Sequence, residues 1–86
     1  MLVQVTKATY VDKFIIDLDI KTIENNKTNK IHKQVDLKSY LKNKKDNGLF
    51  SELKDIEYFR KFKLNANTIE WENGVDIAPE RFLEIE

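Results

Sequence analysis

Phe14, Ile16, Leu18, Ile20 and Thr22 alternate with Ile15, Asp17, Asp19, Lys21 and Ile23. A period of two puts each set on its own side of an extended chain, so this stretch reads as a strand whose even-numbered side faces a core. No other pattern in the chain limits the fold as much. Upstream, Val3 and Val5 fall on one face of a strand over Leu2 to Tyr10, with Gln4 and Thr6 on the other. Asp12-Lys13 supplies the turn between the two. Downstream, Glu24 to Lys30 is a polar loop rich in turn-forming Asn. Ile31, Val35 and Leu37 then resume a single face, so residues 14–37 form a long antiparallel hairpin. Lys33 falls on that same apolar face, a conflict within the pattern.

The middle of the chain changes period. Asp36 is placed to cap a short helix, and Leu37, Tyr40 and Leu41 have the i, i+3, i+4 spacing of one apolar stripe. Asp46-Asn47-Gly48 ends that helix. Leu49, Phe50 and Leu53 form a second apolar knot. Asp55 caps a turn over Ile56 to Lys61, with Ile56 and Phe59 facing inward.

The last third returns to strands. Phe62 and Leu64 lead into a fourth strand, Asn65-Ala66-Asn67 turns, and Ile69 and Trp71 continue on the return. Glu72-Asn73-Gly74 contains Asn-Gly, the strongest short hairpin signal, because both residues tolerate positive φ. Val75 to Ile77 then closes the sheet. Pro79 suits the first position of a C-terminal helix, from which Phe82 and Ile85 seal one end of the core. These elements make an α+β fold built from hairpins, with short helices in the middle and at the end.

The 86 residues suit one domain spanning 1–86. A chain this short buries only about 60–65% of the surface its unfolded form exposes, which leaves no room for a deep cleft. Cysteine is absent, which excludes disulfides and thiolate chemistry. No apolar run approaches the ~20 residues of a membrane helix. The start, Met1 to Val5, lacks the basic and apolar blocks of a signal peptide, so a cytoplasmic protein is expected. Net charge is zero but uneven: residues 1–48 hold ten Lys against six acids, and 49–86 hold five Lys and Arg against nine acids. Such asymmetry steers partners electrostatically.

From Gly48 onward the order of features is specific. It runs Gly48-Leu49-Phe50, Leu53, Asp55, Tyr58-Phe59 and Leu64, then Thr68-Ile69-Glu70-Trp71 and Asn73-Gly74-Val75-Asp76-Ile77-Ala78-Pro79-Glu80. This series, with the earlier pair Asp36-Leu37, resembles the small bacterial family known as domain of unknown function 2442 (DUF 2442). The chain departs from that family at Glu72, where Pro is usual, and at Ala78, where an acid is common. Glu24 to Lys30 also replaces the family's usual glycine turn. The resemblance implies a small α+β fold without established catalytic activity. Members of the family occur alone, fused to helix-turn-helix domains, or beside small proteins in toxin–antitoxin-like arrangements. An accessory or interaction role follows from the resemblance.

The residues themselves point the same way. With no Cys, scattered hydroxyls and His32 as the sole imidazole, nucleophilic catalysis and a zinc site have no support. No cofactor and no metal are expected; Asp17 and Asp19 share a strand face, the usual pattern of a sheet's wet side. Protein binding is the leading expectation, as monomer or dimer, to a partner such as a toxin or a nuclease. Trp71, Asn73, Asp76, Glu70 and Glu72 are its candidate residues. Trp71 reads either as an exposed anchor or, from its alternation with Ile69, as core. One alternative is a phage or mobile-element inhibitor of a defence nuclease, similar in effect to an anti-CRISPR protein. Another is weak nucleic-acid binding through Lys38, Lys42, Lys44 and Lys45.

Overall fold

The computed structural model describes residues 1–43 and 49–85, with the side chain of Leu49 left aside. The expected stop at Asp46-Asn47-Gly48 therefore lies outside the described residues, as do Lys44 and Lys45. Strands β1 (Leu2–Asp12), β2 (Ile15–Glu24) and β3 (Lys27–Asp36) form an antiparallel sheet in the order β1-β2-β3. Three single-turn helices follow: α1 (Lys38–Lys42), α2 (Leu49–Glu52) and α3 (Ile56–Phe59). Then come a two-stranded ribbon, β4 (Lys63–Asn65) with β5 (Thr68–Glu70), and a last helix, α4 (Arg81–Glu84). The architecture is the α+β one that the patterns predict. Among the described residues no helix is long and apolar enough to cross a membrane.

The even-numbered side of β2 is the core side: Ile16, Leu18, Ile20 and Thr22 are all buried. The loop after it is tighter than expected. Asn25 and Asn26, with φ of 51° and 63°, make the whole turn, and Lys27 already pairs with Glu24. Asn tolerates this left-handed conformation because its short side chain bonds locally. Lys33 keeps its place on the core face, opposite Leu18. Its stem lies part-buried, and its Nζ donates to the Ile85 carbonyl at 2.7 Å, which satisfies the charge and ties down the C-terminus. β1 carries an extra residue at two places: Val5 pairs with Ile20 and Lys7 with Asp19, so Thr6 bulges out, and Val11 lies between the Tyr10–Ile16 and Asp12–Ile15 pairs near the strand's end. Val3 and Val5 face the core before Thr6, and Ala8 and Tyr10 pack against it afterwards.

Asp55 is the N-cap of α3 as expected, whereas Leu37 holds the N-cap position of α1 and Asp36 stands one residue ahead of it. Asp36 Oδ1 accepts from the Lys38 N–H at 2.9 Å, and Asp55 Oδ1 from the Glu57 N–H at 3.1 Å. Leu37, Leu41, Leu53, Phe59, Ile77 and Phe82 close the core over the sheet. Three expected core residues lie outside it. Ile31, opposite the buried Ile20 but on the outer strand β3, is exposed. Ile56 is exposed because the single turn of α3 presents Phe59 inward, and Leu64 is exposed because β4 is the outer strand of its ribbon.

The segment after Trp71 differs from expectation in three ways. First, the turn is a three-residue loop, and only Gly74 takes positive φ (89°). Gly74 N–H donates to Trp71 O at 2.9 Å, and Trp71 N–H to Val75 O at 2.8 Å. This is a type I turn closed by a left-handed glycine. Second, Val75 to Ile77 is no strand; it meets β5 through the single bridge Glu70–Asp76. Val75 and Ile77 turn into the core, and the Thr68 hydroxyl donates to the Ile77 carbonyl. Third, Pro79 lies in the turn before α4, its carbonyl accepting from the Phe82 N–H at 3.1 Å.

Candidate functional site

Trp71 is core. It is 2% exposed, packs against Phe59 and Phe62, and donates its Nε1–H to the Phe59 carbonyl at 2.7 Å. The exposed-anchor reading is corrected accordingly: the indole fills the space between α3 and the ribbon and has no surface to offer a partner. Glu70, Glu72, Asn73 and Asp76 do come together around it. Glu70 and Asp76 are bridge neighbours, Asn65 Nδ2 donates to Glu70 at 2.8 Å, and Asn73 Oδ1 accepts from the Val75 N–H at 3.1 Å. Nearby, burial pushes the Tyr58 hydroxyl up from its ordinary value, and the charges of Glu52 and Glu72 act in the same direction.

The larger uncovered surface is the other face of the three-stranded sheet. Its rows follow from the register: Thr9, Asp17 and Gln34; Lys7, Asp19 and His32; Lys21 and Lys30. The imidazole of His32 spans the two acids, with Nδ1 2.5 Å from Asp19 Oδ1 and Nε2 2.9 Å from Asp17 Oδ1. The Asp17 contact is ionic, since that oxygen is buried and not aligned to accept a hydrogen bond. The Asp19 hydrogen bond, followed by the Asp17 charge, raises the His32 pKa above its ordinary value. With a carboxylate beside each ring nitrogen, the surroundings of His32 favour the charged form of the imidazole. The described residues contain no set of three His, Cys, Asp or Glu side chains arranged to hold a metal ion.

Lys38 and Lys42 are exposed on α1 and reach a third lysine that the sequence pattern does not flag. With Lys54, from the turn before α3, they surround a surface depression of about 300 Å³ lined by Phe14 and Leu41. Sequence spacing could not join these residues, because they come from three separate segments. In comparisons with known proteins the chain matches no family model, no curated protein and no solved structure.

Proposed function

We propose that this chain works by binding another protein, as a non-enzymatic interaction domain of regulatory or antitoxin-like character. One observation carries the reading: β3 is an outer strand over ten residues, and its far edge pairs with no other strand among the described residues. The main-chain donors and acceptors of such an edge receive an added strand from a partner. Lys27, Lys30 and Lys33 on this strand oppose pairing between identical copies, which favours a different protein as occupant. With no cysteine in 86 residues, we place its action in the cytoplasm.

A second reading draws on the ribbon. Glu70 and Asp76 face one another across a bridge with Glu72 beside them, and like charges so placed are relieved by a basic partner. That arrangement suits an inhibitor of a nuclease. Photo-crosslinkers at Thr28 and Gln34, at Glu72 and Asp76, and at Glu57 as control separate the two in the native host. A single stoichiometric partner captured from positions 28 and 34 supports the sheet edge. Capture from 72 and 76 alone supports the inhibitor reading. Capture from none of the four overturns both.

A further inference from the structure

Among the described residues, the depression between α1 and the turn at Lys54 is where several unneutralised cations converge on an aromatic ring. Lys38, Lys42 and Lys54 enter none of the ion pairs among those residues. Lys38 and Lys42 stand four apart on α1, a spacing at which like charges repel, and Lys54 adds a third from another segment. The core takes from α1 the buried Leu41 and the part-buried Tyr40, and neither calls for this convergence of lysines. Phe14 lines the same depression and is held edge-on against Phe59, with centroids 5.1 Å apart and planes at 78°. A ring fixed from within the core is a ready stacking platform.

We propose that the Phe14, Lys38, Lys42 and Lys54 depression binds single-stranded nucleic acid, one base against the ring and the adjoining phosphates on the three ammonium groups. Lysine suits such a site because it is a point charge that follows a backbone without reading bases. Binding here is independent of sequence and weak, on the order of 10–100 μM at physiological salt. The site lies apart from the β3 edge, so it stands or falls independently of the protein-binding reading.

The proposal is tested by a salt titration of the intact protein against a fluorescein-labelled twelve-nucleotide oligo-dT strand. Three phosphate contacts to single-stranded DNA give a slope of log K against log salt of about −2. Lys38→Gln, Lys42→Gln and Lys54→Gln should each reduce that slope by about 0.7, while Lys7→Gln and Lys30→Gln, on the sheet, leave it unchanged. Phe14→Leu should weaken binding about fivefold or more without changing the slope. Circular dichroism identifies any variant that fails to fold. The proposal is overturned by absence of salt-dependent binding, by equal slope loss in all five lysine variants, or by equally tight, equally lysine-dependent binding of polyglutamate. The last result would assign the depression to an acidic protein.

Discussion

Asp19 and His32 sit directly opposite one another on β2 and β3, with Asp19 Oδ1 2.5 Å from His32 Nδ1, and Asp17 holds the far side of the same ring. The His32 pKa is raised in the folded chain, chiefly by the Asp19 hydrogen bond. A raised folded-state value means that the pair's contribution is fully present below the unfolded histidine value, about 6.5, and fades as pH climbs through the folded value. In urea titrations across this window, the stability advantage of the parent over His32→Gln should shrink with rising pH. By NMR, Asp19→Asn should lower the His32 titration midpoint more than Asp17→Asn does. A midpoint indifferent to both would refute the bridge.

Replacing Trp71 tests its place in the core. Trp71→Phe leaves the Phe59 carbonyl without its donor and should cost about 1–3 kcal/mol by urea denaturation. Trp71→Ala should cost about 3–5 kcal/mol, enough to unfold much of a chain this small. A folded Trp71→Ala protein of unchanged stability would return the indole to the surface.

Backbone conformation gives a pair of opposite expectations. A Cβ on Gly74 would meet nothing within 4 Å, so Gly74→Ala should lose about 1 kcal/mol through its positive φ alone. Ala66 occupies the same kind of conformation, φ 51°, without glycine's freedom, and Ala66→Gly should raise stability by up to about 1 kcal/mol. Thermal melts of the two variants should move in opposite directions.

The tie from Lys33 to Ile85 predicts a local effect at a distance in sequence. Lys33→Ala should destabilise the protein by about 1–2 kcal/mol and speed amide exchange at Ile85, whose N–H bonds to Arg81 O. Unchanged exchange at Ile85 would show that the lysine does not anchor the C-terminus.

What the sequence made legible follows from local rules. The period of two fixed the core side of β2, and Asp36 and Asp55 announced their helices. Lys33 looked like a conflict only because its acceptor, the Ile85 carbonyl, lies 52 residues away. The His32 bridge was within reach, since a turn centred on Asn25-Asn26 sets Asp19 opposite His32 by counting. The basic depression was not, because Phe14, Lys42 and Lys54 meet only through tertiary packing. The local pattern at Trp71 suits an interface anchor as well as a core position, and burial by Phe59 and Phe62 decides for core, a matter of packing rather than alternation.

The extra residue at Thr6 has a consequence for how this chain can vary. Inward positions in β1 are odd-numbered ahead of it and even-numbered behind it, so the strand changes phase midway. Deleting either Thr6 or Lys7 would leave one residue opposite Asp19 and keep Val3, Val5, Ala8 and Tyr10 all on the core side, whereas one further residue added there would turn one pair toward water. Point changes on the outward side leave the phase untouched. Relatives of this chain should therefore vary freely on the outward side of this strand and tolerate loss of one residue at Thr6–Lys7, while a one-residue change in length between Val3 and Val5 or between Ala8 and Tyr10 is excluded.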